Sequence, residues 1–404
     1  MSFASAVNGR CEILLLRNTM NQREISELRR HLTPERTNIT RIYGCYVNGE
    51  KQIISSFEQS LAVMEKNDTE KYIELMKKAL SGKIGRTLND LEFTSQQVID
   101  GEEHKLLMAL RETKLEDPQL REALCRKIIE VLSLKDQSNY LILLAYDVYD
   151  VPFRGSDRQT QMDNSDETFR FILCAICPVK SRKAELGYDT GEEQFRLDES
   201  VPVVGAPELG FLFPAFDDRH TNIYNALLYC KDTSMMHREF VDAVFRTKSP
   251  MAPGEQKEAF ADAITEALEG ACRFDVVQSV HQQIRDRMEE YKQAKVPEPL
   301  ELSSDDVAEI LRQSGVDEER VDSFREKCGE QFGEDAGLVP GNIIESRKFE
   351  IVTPVVKVSV VPEYTHQVKT KMVDGRMCLV IPVDGGVEVN GVPVHTEVRK
   401  DAAE

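Results

Sequence analysis

Two apolar runs, Tyr140-Leu-Ile-Leu-Leu-Ala-Tyr-Asp-Val148 and Phe169-Arg-Phe-Ile-Leu-Cys-Ala-Ile-Cys177, decide how this chain is built. Each is too short to span a bilayer and is rich in β-branched and aromatic residues. Each also ends at breakers, Pro152 and Gly155 after the first and Pro178 after the second. They read as buried central strands. The polar stretch from Arg154 to Asp166 reads as an exposed loop, which makes the two strands antiparallel neighbours. Ile172 and Ile176 share one face of the second strand and are expected in the core.

Working outward, the N-terminal part reads as a short helix from Met20 to His31, with Ile25, Leu28 and Leu32 on one face, ended by Pro34. Asn48-Gly49, between Arg41–Val47 and Lys51–Ile54, has the composition of a type I′ hairpin turn. Helices are expected over Ser55–Leu80 and Ser95–Ser133, the second broken at Asp117-Pro118. Val201–Phe216 reads as a bent strand, followed by helices over Thr221–Phe245 and Gly254–Tyr291. Pro297-Glu-Pro299 is a stiff break. Beyond it an acidic helical pair is expected, Ser304–Ser314 stopped by Gly315 and Glu318–Phe332 capped by Asp317. From Phe349 the period changes to two, with turns at Asp374-Gly375 and Asn390-Gly391, which predicts a small β meander.

The fold expected is therefore α+β: a central, mostly antiparallel sheet with surrounding helices, an acidic helical hairpin and a small C-terminal β unit. The convincing pattern starts at Met20, so residues 1–19 read as an N-terminal extension. The domains expected are a core over 20–296, the acidic helical segment over 297–348 and the β unit over 349–404.

A chain of 404 residues, 41% of them apolar, buries a sizeable core. Acidic residues outnumber basic ones 70 to 51, a net charge of -19, which disfavours indiscriminate binding to nucleic acid or anionic membrane. Any contact with DNA must use a local basic patch. The nine cysteines form no spaced framework and fit free thiols in a reducing cytoplasm. The run Ile13-Leu-Leu-Leu16 lacks the basic start, long apolar core and cleavage site of a signal peptide, so a cytoplasmic protein without membrane association is expected.

The densest polar cluster next to an apolar strand is Asp217-Asp-Arg-His220. Two carboxylates with an imidazole could ligate a metal or share acid and base roles, with Asp147 and Asp150 as further carboxylates. The structural alternative makes Asp217 or Asp218 the cap of a following helix, with Arg219 pairing a carboxylate. Cys174-Ala-Ile-Cys177 has metal-ligand spacing, but on a strand residues three apart point to opposite faces, so buried thiols are expected. Ser81-Gly-Lys-Ile84 lacks the first Gly and the Ser/Thr of a phosphate loop, and Glu102-Glu-His104 lacks the second His of a zincin. No cofactor is expected. The apolar face Phe274, Val277, His281, Ile284, Met288 and Tyr291 serves either packing within a domain or a homodimer seam. The acidic pair has the outline of a helix-turn-helix. Its second helix, however, carries Glu318, Glu319, Asp322, Glu326 and Glu330, which phosphates would repel and a protein partner would suit.

Basic residues gather near the N-terminus. Arg17, Arg23, Arg29, Arg30, Arg36 and Arg41 oppose three Glu, and Lys71, Lys77, Lys78, Lys83 and Arg86 oppose a single Glu74. If a surface meets nucleic acid, it is this one.

From Met20 to about Val394 the chain resembles a bacterial family described only as a domain of unknown function, number 4317. Three stretches carry the resemblance: Met20–Arg30, Asn38–Gly49 and Phe213–Arg219. The family brings no activity with it. In order of elements, and in Leu379–Pro393, the chain is also similar to bacterial nucleoid-associated proteins, a likeness that implies DNA association without catalysis. The expected function is accordingly a non-enzymatic cytoplasmic protein associated with DNA or the nucleoid. The rivals are a metal-dependent hydrolase centred on Asp217, Asp218 and His220, and a scaffold that binds protein through the acidic helical pair.

Overall fold

The computed structural model describes residues 19–132, 138–154, 160–161, 167–180, 185–189, 191–198, 201–296, 298–334, 336–383, 386–389 and 391–394. The chain divides into two units, residues 1–254 with 297–299, and residues 255–296 with 300–404.

The centre of the first unit is the antiparallel pair β4 (Tyr140–Val151) and β5 (Glu167–Lys180). They run in unbroken register from Tyr140 opposite Pro178 to Val151 opposite Glu167. Both are buried along most of their length, as their continuous apolar runs require. On one flank β1 (Arg41–Val47) pairs with β4, and β2 (Ile53–Ser60) closes that edge. On the other, β6 (Leu209–Phe213) pairs with β5, β9 (Asn225–Cys230) with β6, and β3 (Leu88–Glu92) with β9. Val203–Val204 adds to the end of β5. Between β6 and β9 lies a small hairpin, β7 (Ala215–Asp217) and β8 (His220–Asn222).

Helices cover both faces of this sheet. The apolar stripes of α1 (Gln22–His31) and α2 (Lys66–Lys78) bury Ile25, Leu28, Ile73 and Met76 against one face, with Leu141, Leu143, Phe171 and Leu173. The opposite face carries Ile142, Leu144, Ile172, Cys174 and Ile176. After the short α3 (Ser95–Asp100), it is covered by α4 (Glu102–Glu112), α5 (Pro118–Val131) and α6 (Arg238–Phe245). Cys174 and Cys177 thus face opposite sides, both buried, and burial pushes both thiols up, that of Cys177 to about 12. The break expected at Asp117-Pro118 is the start of α5, where the Asp117 side chain accepts from Gln119 N and Pro118 takes the first helical position.

Three local expectations are corrected. Ser55–Ser60 belongs to β2 and not to a helix; this edge strand is mostly exposed and serine-rich, so it carries no apolar alternation. Thr221–Phe245 is not one helix either. Asn225–Cys230 is a strand buried on both faces, a short apolar run that periodicity cannot tell from a helix. The β1–β2 turn is not type I′. Lys51 N donates to Asn48 O at 3.0 Å and Lys51 takes the left-handed φ of 65°, a type I turn followed by a bulge, with the Asn48 side chain accepting from Glu50 N and Gln52 N.

The second unit holds α7 (Pro253–Leu268), α8 (Phe274–Ala294), α9 (Ser304–Gln313) and α10 (Glu318–Phe332). Phe260, Ile264, Val276, Val280, Ile284, Val307, Ile310, Val321 and Phe324 share one core. The sequence carries the core domain to residue 296, whereas α7 and α8 pack with the acidic pair. That pair has the expected stop and cap: Gly315 takes φ 82° between the helices and Asp317 receives Arg320 N at 3.1 Å, and Ser303, which receives Asp306 N at 3.0 Å, caps the first helix as well. Beside His281, the Phe274 end of the heptad face meets the Phe349 ring within the same unit. The C-terminal part forms separate hairpins, Phe349–Val352 with Lys357–Val360, Lys369–Val373 with Arg376–Val380, and Val387–Val389 with Val392–Val394. Asp374-Gly375 makes the expected turn, and its φ of 49° and 73° make it type I′; Asn390 lies outside the described residues.

Candidate functional site

Asp217-Asp-Arg-His220 is the turn of the β7–β8 hairpin. Asp217 pairs with His220, and Asp218 and Arg219 take φ 45° and 64°, the two left-handed positions of a type I′ turn. No helix follows, so neither aspartate is a helix cap; the strand β8 begins at once.

The turn aims Arg219 back at α1. Its Nη2 donates to Pro152 O at 2.6 Å and lies 3.2 Å from Glu27 Oε1, and its backbone N donates to Glu24 Oε1 at 3.2 Å. Glu24 also closes the capping box of α1, its Oε2 accepting from Asn21 N at 2.8 Å. The Tyr149 hydroxyl donates to Glu27 Oε1 at 2.8 Å. At the same end of the sheet Asp147, 1% exposed, accepts from Thr37 Oγ1 at 2.7 Å, Asn38 N at 2.9 Å and Val148 N at 2.7 Å, and its Oδ2 meets His31 Nε2 at 3.0 Å. His220 Nδ1 pairs with Glu167, whose other oxygen accepts from Thr221 N at 3.0 Å. Asp217 accepts from Asn222 Nδ2 at 3.3 Å. Asp150 stands apart, receiving Thr168 Oγ1 at 3.3 Å across the β4–β5 pair.

Burial pushes the Glu24 carboxyl up to about 7, with the nearby charges of Asp217 and Asp218 adding to it against two backbone hydrogen bonds that lower it. Asp217 is likewise raised by burial. The carboxylates here are held by donors from four segments, which ties α1, the loop after it, the end of β4 and the hairpin into one polar cluster. Among the described residues no group of three or more His, Cys, Asp or Glu is placed to hold a metal ion.

The basic residues fall in three places. Arg23, Arg29 and Arg30 lie on α1, and Arg36 is exposed in the loop after it. Lys77 and Lys78 occupy the last turn of α2, and Lys83 and Arg86 are exposed in the turn before β3. Because α1 and α2 cover the same sheet face, these two groups share one side of the unit. Arg41 does not join them. It alternates with Ile42 onto the face of Tyr43 and Cys45, and there it pairs with Glu58. Arg17 lies outside the described residues. The sequence had missed Glu24 and Glu27 as members of the cluster; the only local signal was the Asn21-x-x-Glu24 spacing of a capping box.

An antiparallel sheet clad by helices, with a polar cluster that fastens its N-terminal helix, defines an α+β protein. The chain matches the family described as Domain of unknown function (DUF4317) over residues 20–392, and it belongs to that family. No curated protein matches it. The three stretches Met20–Arg30, Asn38–Gly49 and Phe213–Arg219 come together around the Glu24, Glu27 and Arg219 cluster or in the strand beside it. Among the described residues no helix is long and apolar enough to cross a membrane.

Proposed function

We propose that the protein is a non-enzymatic, cytoplasmic DNA- or nucleoid-associated protein whose first unit meets the phosphate backbone with the outer sides of α1 and α2. The observation that supports this is where the opposing carboxylates go. Of the three glutamates among the N-terminal arginines, Glu24 and Glu27 are buried, which leaves Glu35. Glu74, the single carboxylate among Lys71, Lys77, Lys78, Lys83 and Arg86, is held by Lys71 at 3.0 Å and Lys78 at 3.1 Å. The surface of α1 is thus more basic than its sequence, in a chain that is otherwise strongly acidic.

The acidic helical pair weighs less as a docking surface, because its own cations answer it. Arg312 pairs with Glu309 and Glu318, and Arg325 with Asp305 and Asp322. The test is a binding titration on duplex DNA at several salt concentrations, with wild type and a variant carrying Arg30→Gln, Arg36→Gln, Lys77→Gln and Lys83→Gln. Binding that weakens with salt and drops in the variant, whatever the DNA sequence, supports the proposal. Absence of binding by wild type at low salt removes it.

A further inference from the structure

On the sheet face opposite α1, a cavity of about 330 Å³ lies between α5 and the β1–β2 hairpin. Exposed Ile53 and Ser56 of β2 line its rim, so solvent reaches it. Tyr43 and Ile142 supply apolar walls, and the Arg121 guanidinium lies over the Tyr43 ring at 4.1 Å. Two cysteines line the same space, Cys45 from β1 and Cys125 from α5, 4% and 7% exposed. Ser56 Oγ donates to the Cys45 sulfur at 3.9 Å, and the Cys125 side chain lies near enough to Cys45 for the two thiols to act on each other. The neighbouring Cys125 and Ser56 hold the Cys45 thiol below the usual range against the effect of burial, while the same neighbouring thiol and burial push Cys125 up. Tyr140 adds a third polar group within electrostatic reach of both sulfurs; its buried hydroxyl has no hydrogen-bond partner among the described residues.

The remaining thiols differ. Cys174, Cys177, Cys230 and Cys328 are buried, do not line this cavity and are raised by burial; Cys272 is exposed and also raised, and Cys378 is half-buried in the C-terminal hairpin Lys369–Val373 with Arg376–Val380.

We infer that Cys45 and Cys125 are a redox pair that reduces a small hydroperoxide admitted to the cavity, Cys45 reacting first and Cys125 resolving the product. The Cys45 thiolate attacks one peroxide oxygen; the S–O bond forms as the O–O bond breaks, and the departing oxygen takes a proton. With hydrogen peroxide this yields a sulfenic acid and water. The Cys125 sulfur then attacks the Cys45 sulfur, the S–S bond forms, and the hydroxyl leaves with the Cys125 proton as a second water. Two thiols have lost two electrons and the peroxide has gained them. An external dithiol restores the pair by exchange. The disulfide links α5 to β1 covalently, where the reduced protein joins them by packing, the contact between the two thiols and the Arg121 guanidinium over the Tyr43 ring.

The experiment treats the reduced full-length protein with hydrogen peroxide for increasing times, alkylates the remaining thiols and maps them by mass spectrometry. Cys45 and Cys125 should be lost together into one cross-linked peptide, about tenfold faster than the exposed Cys272 in the same molecules. Cys125→Ser should accumulate a Cys45 sulfenic acid that a 1,3-dione traps, and Cys45→Ser should leave Cys125 reduced. Cys272 reacting as fast as Cys45 in wild type overturns the inference, as does oxidised Cys45 with Cys125 still reduced. Because that comparison is made within the wild-type chain, it stands even if a variant fails to fold.

Discussion

Arg219 Nη2 lies 3.2 Å from Glu27 Oε1, with side chains only 18% and 9% exposed, so a hairpin turn late in the first unit is fastened to its first helix by a largely desolvated ion pair. Removing one partner leaves the other charge without its counterion. Arg219→Met should cost about 3 kcal/mol, measured as a shift in the urea midpoint at unchanged slope. Arg219→Lys should recover little of it, since an ammonium cannot reach both Glu27 and Pro152 O as the guanidinium fork does. Wild-type stability in Arg219→Met would show that the pair contributes nothing.

The centre of the sheet should be the most sensitive region. Ile172 and Ile176 are fully buried, opposite Tyr146 and Ile142 on β4 and Phe213 and Leu209 on β6. Each truncation to Ala should cost about 2 to 5 kcal/mol in chemical denaturation. Two neutral substitutions would place the core elsewhere.

Glu24 gives the fold a pH dependence. Its carboxyl is raised from 4.5 to about 7, chiefly by burial, so between those values the native state binds more protons than the unfolded chain. The contribution is fully present below the unfolded value, falls as the pH rises towards about 7 and is lost above it. Urea midpoints across that window should therefore decline more steeply for wild type than for Glu24→Gln. Parallel profiles would assign the slope to other groups.

For the proposed contact with DNA, the slope of log K against log salt should be negative by about 0.9 per phosphate engaged. The four-glutamine variant should flatten it. Neutralising Glu319 and Glu326 on α10 should leave the affinity unchanged or raise it, since like charges are removed. A flat salt dependence in wild type would speak against a phosphate contact.

The strands at the centre were legible because Leu141–Ala145 and Phe171–Cys177 are apolar on both faces and too short for helices. The acidic pair was legible through Asp317 and Gly315, residues whose side chain or φ marks a helix end. Ser55–Ser60 and Leu88–Glu92 escaped because edge strands with polar side chains owe their pairing to the neighbour and not to their own pattern. At the polar cluster, Asp217-Asp-Arg-His220 stood out as a dense group of charges, yet its partners Glu24 and Glu27 looked like ordinary carboxylates of a first helix. Only the tertiary fold turns them inward. Cys45 and Cys125 escaped for the same reason: one lies on a strand, the other on a helix far along the chain, and neither has a spacing motif.

The order of the sheet has a consequence for how the protein emerges from the ribosome. β3 has its partner in β9, Asn89 opposite Leu228, so one border of the sheet waits for about 140 further residues to be synthesised before it can be zipped. Until then Leu88 and Leu91, which end up fully buried, lack the strand they pair with. Translation of the first unit thus passes through a long interval with exposed apolar strand, when a nascent-chain chaperone has its best opportunity to bind. A pause or truncation before Cys230 should leave a sticky, protease-sensitive product, while one placed after Gly254 should release a unit whose sheet is already closed.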